Sequence, residues 1–144
     1  LAQIFKEYGE ERLASRIAKS IKEMTIMNTI ADLREAIRRC TPPNHRDRTF
    51  ARIFQALRIA VNQELGILEQ FLTKFIDFLR PGGRIVIISY HSLEDRLVKH
   101  SFKKLASGGT LDILTKRPIT ATEKERKKNR RARSAKLRAA VKVT

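Results

Sequence analysis

The feature that most constrains this chain is a change of pattern on either side of Pro81-Gly82-Gly83. Before it, Phe50, Ile53, Phe54, Leu57, Val61, Leu65, Leu68, Leu72, Phe75, Ile76 and Leu79 recur at helical spacing on one broad stripe. At 1.5 Å per residue, residues 49–79 predict a helix of about 45 Å, with Gly66 as the expected kink. After it, Ile85-Val86-Ile87-Ile88 is short, continuous and β-branched. Such a run predicts a strand buried on both faces, as in a parallel sheet. The cluster Ser89-Tyr90-His91-Ser92 follows immediately. Open α/β sheets keep their chemistry at the carboxyl ends of strands, so this corner is the first place to look for function.

The rest of the chain predicts helices first and strands later. Ile4, Phe5, Tyr8, Leu13, Ile17, Ile21 and Met24 mark a helix over residues 2–24, with Gly9 as a break point. A second helix is predicted over 30–40, capped by Thr29 or Asp32 and ended by Thr41-Pro42-Pro43-Asn44. Ser92-Leu93-Glu94-Asp95 reads as a capping box for a helix over 93–106. Leu111–Thr115 reads as a strand, residues 117–131 as a polar excursion helical around 122–128, and Leu137–Val143 as a last strand. Three strands beside so long a helix are too few to cover it, which implies a larger sheet. The chain opens inside a helical pattern without Met, as a fragment would.

The chain has 144 residues and a formal charge of +16. Residues 116–142 hold twelve of the Lys and Arg residues against two acids. Such asymmetry points to a polyanion, most simply nucleic acid. The single cysteine, Cys40, excludes a disulfide framework and fits a reducing cytoplasm, the expected location. The scattered histidines and one cysteine lack ligand spacing, so no metal site is expected. No apolar run of about 18 residues is present, so no membrane contact is expected.

Five segments also occur in a telling order: Tyr8-Gly9-Glu10-Glu11-Arg12, Phe54 through Leu65, Pro81-Gly82-Gly83-Arg84, His91-Ser92-Leu93-Glu94-Asp95-Arg96, and Asn129 through Arg138. Together they resemble the RsmH (MraW) family of S-adenosylmethionine-dependent ribosomal RNA cytosine-N4 methyltransferases. Tyr90 departs from the Phe common at that position. The resemblance implies an α/β fold: the C-terminal part of a Rossmann-like class I methyltransferase with part of an inserted all-helical domain. Residues 1–45 would be the later part of that insert, concerned with substrate recognition. Residues 46–144 would be the end of the methyltransferase domain, its final strand antiparallel. The resemblance also implies that the cofactor loop lies upstream. The main S-adenosylmethionine-binding residues would then be absent from this chain, and the chain alone would be inactive.

Methylating an exocyclic amine requires an extruded cytosine, an aligned nitrogen and removal of a proton. The catalytic candidates are Tyr90, His91 and Ser92. Tyr90 or His91 would line the base pocket, and Ser89 or Ser92 would supply a hydrogen bond. Ser92, Asp95 and Arg96 equally suit a helix cap and ion pairs to Arg58, Glu64 or the last strand. Gln55, Arg58 and Asn62 share one side of the long helix, as a structural bracket or as a substrate-binding wall. Lys128, Arg130 and Arg131, with Lys127, are expected to point outward onto RNA phosphates. The expected partner is small-subunit (16S) ribosomal RNA or the subunit itself. An open apolar strand edge adds the expectation of a homodimer or strand-exchanged assembly. Two other functions fit the residues: a non-catalytic basic RNA-binding module, and a dimerisation domain built on the 49–79 stripe.

Overall fold

The computed structural model describes residues 1–143. Thr144, the last residue of the predicted second domain, lies outside the described residues. The chain forms two compact units, residues 1–64 and 65–144.

The first unit is helical. It contains α1 (Ala2–Glu7), α2 (Ala14–Lys22), α3 (Ile30–Cys40) and α4 (Arg46–Asn62). The helix expected over 2–24 is broken around Gly9. A Cβ at Gly9 would lie 2.7 Å from the Phe5 carbonyl oxygen and 2.9 Å from that of Arg52. Only glycine lets α4 approach the turn this closely. Thr29 caps α3: its hydroxyl accepts from the Asp32 amide, and the Asp32 carboxylate accepts from the Thr29 amide. Hydrogen bonds donated to the Asp32 carboxylate by the Thr29 hydroxyl, the Thr29 amide and the Asn28 amide hold this carboxyl below its ordinary value. Phe5, Ala14, Ile17, Ala18, Ile37, Ile53 and Ala56 form the core.

The predicted single helix over 49–79 is three pieces: α4, α5 (Glu64–Lys74) and a 3-10 turn, Phe75–Phe78. The break falls at Gln63, whose φ of 52° is left-handed, and not at Gly66. The Glu64 carboxylate stabilises the break. Arg58 reaches it through Nε at 2.8 Å and Nη2 at 3.2 Å, and Asn62 Nδ2 donates to it at 3.3 Å. An acid at the start of α5 also complements its helix dipole.

The second unit is a small sheet packed against helices. Its strands are β1 (Arg84–Ser89), β2 (Leu111–Ile113), β3 (Ile119–Thr120) and β4 (Lys136–Lys142). The order is β1-β4-β2, with β3 also paired to β4, and every pairing is antiparallel. β1 and β2 therefore run parallel to each other on either side of β4. The final strand is antiparallel to its neighbours, as the resemblance implies. β1 is not buried on both faces: Val86 and Ile88 are 57% and 50% exposed. Ile85 and Ile87, on its other face, join a core of Leu72, Phe75, Val98, Phe102, Leu111 and Ala140 beneath α6 (Ser92–Ser107). The β-branched run is thus covered on one face by α5 and α6, and paired on one edge by β4.

Strand β4 explains how three cations enter a covered face. Alternation puts Lys136, Arg138, Ala140 and Lys142 on the side of Ala140, which is wholly buried. Each charge is matched there. Arg138 and Lys136 meet Asp95 of α6, and Lys142 Nζ donates to the carbonyls of Ile76 and Leu79 at 3.0 Å each. Leu137, Ala139 and Val141 occupy the opposite face, beside Val86 and Ile88 across the ladder.

Candidate active-site corner

The corner forms where β1 hands over to α6. The helix cap is His91, one residue earlier than the Ser92 cap predicted. His91 Nδ1 accepts from the Glu94 amide at 3.3 Å. The Glu94 carboxylate accepts from the amides of Tyr90 at 2.8 Å and His91 at 3.3 Å. The box is therefore His91–Glu94. The imidazole displaces Ser92 from the role because its Nδ1 reaches the third amide of the helix just as a short hydroxyl would. An Nδ1 that accepts leaves the ring proton on Nε2, which lies 3.4 Å from Glu94 Oε1.

This arrangement fixes the directions of the neighbouring side chains. His91 is buried, whereas Tyr90 is 53% exposed on a backbone pinned by Glu94. Ser89, at the end of β1, is 2% exposed, and its hydroxyl has no hydrogen-bond partner among the described residues. A buried unpartnered hydroxyl is uncommon and costs free energy, so its position beside the candidate residues is notable.

Asp95 closes the corner from below. Arg138 Nε is 2.7 Å from Oδ1, Nη2 is 3.2 Å from Oδ2, and Lys136 Nζ is 3.5 Å from Oδ2. Burial pushes the Asp95 carboxyl up, but hydrogen bonding and charge from Arg138, joined by Lys136, outweigh it and hold the group below its ordinary value. Of the partners predicted for Asp95, the structure selects the last strand. This pairing of α6 to β4 braces the candidate corner, and sequence reasoning left it open. Its signal is the alternation of Lys136, Arg138 and Lys142 on one face of a strand.

The remaining candidates fall in three places. Gln55 Nε2 donates to the Tyr8 carbonyl at 3.2 Å, bridging α4 to the end of α1. Arg58 and Asn62 converge on Glu64 at the helix break. Lys128, Arg130 and Arg131 lie on the polar excursion, with α7 (Glu123–Lys128) capped by Thr122 and followed by a 3-10 turn, Arg130–Ser134. All three are exposed, as is every residue of α7.

Neither glycine pair of the described residues has the setting of a loop that would cradle S-adenosylmethionine. Gly82-Gly83 and Gly108-Gly109 precede β1 and β2, so both glycine pairs stand at the amino ends of their strands, away from the corner. Neither pair opens a helix, which a cofactor-cradling loop does.

The MraW methylase family model matches residues 1–143. A ribosomal RNA small subunit methyltransferase H from Synechocystis is 51% identical over 99% of this chain and 47% of its own length. Proteins of the same name from Trichormus variabilis and Kosmotoga olearia are 54% and 52% identical, each over 99% of this chain. The chain spans about half the length of the curated relatives it matches.

Proposed function

Because this chain belongs to the MraW methylase family, we propose that it is the carboxyl-terminal part of a cytoplasmic methyltransferase acting on N4 of a cytidine in small-subunit ribosomal RNA. Residues 1–45 are then the later part of a helical insert, and residues 46–144 complete a Rossmann-like domain. S-adenosylmethionine would be held by the upstream part of that domain, so this chain alone would not bind it.

The observation that carries the reading is the half-covered sheet. One face is closed by α5 and α6, while the other presents Val86, Ile88, Leu137, Ala139 and Val141. Among the described residues the edge of β1 away from β4 is unpaired, and it stands beside that apolar face. A two-sided sheet needs further strands at that edge and helices on that face. The carboxyl ends of β1 and β2 point the same way, and the capped corner lies there.

In this reading each corner residue has a role in handling the nucleotide. Tyr90 offers an exposed ring for stacking an extruded cytosine. His91 and Glu94 hold the Tyr90 backbone and do not take the proton, since both are engaged in the helix cap. Ser89 reserves its hydroxyl for a group of the base or of the upstream domain. Asp95 and Arg138 keep the corner rigid.

The test extends this chain with the upstream half of the Synechocystis relative. The extended protein should incorporate methyl groups into small-subunit ribosomal RNA as N4-methylcytidine. Tyr90→Ala should lower kcat/KM by about a hundredfold through misplacement of the base. Wild-type rates from a folded Tyr90→Ala protein would remove Tyr90 from the site. The relatives' names favour this enzyme over a non-catalytic RNA-binding module.

A further inference from the structure

The helical unit contains a second cationic feature, separate from the basic excursion. A cleft of about 410 Å³ opens between the start of α2 and the start of α4. Arg12 and Arg16 line it from one side, and His45, Arg48 and Arg52 from the other. Its volume lies in the range of sites that hold a small ligand or one unit of a polymer.

One acid, Glu11, also lines the cleft, and it is already committed. It is 4% exposed; Oε1 accepts from the Leu13 amide at 3.0 Å, and Oε2 lies 3.6 Å from Arg52. Glu11 thus fixes the turn into α2 and neutralises one arginine. Arg12, Arg16 and Arg48 have no ion pair among the described residues. Their charge is not explained by folding. Arg16 stands in the first turn of α2, which contains no acid, so it faces the positive end of a helix dipole. Like charges gathered at a positive helix end oppose local stability, and such conflicts mark sites shaped by a ligand.

We propose that this cleft is a phosphate-binding subsite for the RNA backbone, outside the methylation corner. The inference rests on the reading of the protein as a ribosomal RNA methyltransferase, which supplies the polyanion. Three unpaired arginines present planar forks that match phosphate oxygens two at a time, a geometry lysine lacks. Contacts of this kind fix the register of a strand without reading its sequence. The subsite would therefore anchor the RNA strand without selecting its bases.

The test measures binding of a fluorescein-labelled single-stranded RNA to this chain by anisotropy across a series of KCl concentrations. The double variant Arg12→Gln/Arg48→Gln removes two exposed forks; Lys6→Gln/Lys22→Gln removes equal charge outside the cleft. Circular dichroism checks that both keep their helices. The cleft variant should bind about tenfold more weakly. Its plot of log affinity against log salt should flatten by about 1.4, the value for two contacts with a single strand. The control should change neither quantity by as much. Equal effects in both variants, or no effect in the cleft variant, would overturn the subsite and leave the enzyme reading standing. A wild-type chain that binds no RNA would overturn that reading and the subsite with it.

Discussion

Asp95 sits in the first turn of α6 with a carboxylate 8% exposed as a residue and two cations of β4 upon it. Removing one partner of a buried pair strands the other, at a cost of about 3–5 kcal/mol. Asp95→Ala should therefore lower the urea midpoint of this chain by that equivalent. Arg138→Met should cost less, because Lys136 at 3.5 Å still neutralises the carboxylate. The pair also sets an acid limit. The carboxyl's folded-state pKa lies below its unfolded value, so its stabilisation is full above about pH 4 and is lost as pH falls through the lowered folded value. Asp95→Asn should flatten the loss of stability in urea melts below pH 4; an unchanged acid profile would show that Asp95 does not set it. The corner's cap makes a smaller contribution. His91→Ala should destabilise by about 1 kcal/mol, read from thermal melts.

The elements of the fold were largely legible in the sequence, because periodicity and punctuation are local signals. The helix over 30–40 with Thr29 as its cap, the short helix near 122–128 and the strands after Gly83 and Gly109 all follow from them. Three details depended on contacts between segments. The break at Gln63 was hidden because glutamine carries no turn signature. Its left-handed conformation is bought by Arg58 and Asn62 converging on Glu64. The cap at His91 was hidden because a hydroxyl one residue later offered a more familiar pattern. The exposure of Val86 and Ile88 was hidden because a β-branched run states that it will be buried without stating what buries it. Two element-scale predictions follow from these causes. Gln63→Gly should stabilise the chain by up to about 1 kcal/mol, since relief of left-handed strain exceeds glycine's added chain entropy. A lower urea midpoint would contradict that balance. In the basic excursion, replacing Lys127, Lys128, Arg130 and Arg131 with Gln should reduce the salt dependence of RNA binding. An unaltered slope would exclude contact there.

At the scale of the whole molecule, one sheet face is packed and the other is an apolar surface bordered by an open strand edge. The candidate site was legible in the sequence only as a place, the carboxyl end of β1, and the chemistry proposed for it came from the resemblance. What the sequence could not show is how His91, Glu94, Asp95 and Arg138 divide the work of holding that place, since their partners lie on different elements. An open edge beside exposed Val86 and Ile88 favours self-association of the isolated chain. Light scattering should detect species larger than a monomer at high concentration, and Ile88→Lys should reduce them; a clean wild-type monomer would contradict the expectation. Calorimetry should find no specific S-adenosylmethionine binding to the chain alone and clear binding once the upstream half is joined. The most direct test of the central claim is hydrogen exchange at Arg84–Ser89, measured in the isolated chain and in the chain extended by the upstream half of a relative. If β1 is the seam of a larger methyltransferase sheet, its amides that point away from β4 exchange fast in the isolated chain and become protected in the extended protein. Equally fast exchange in both would show that no strand joins that edge.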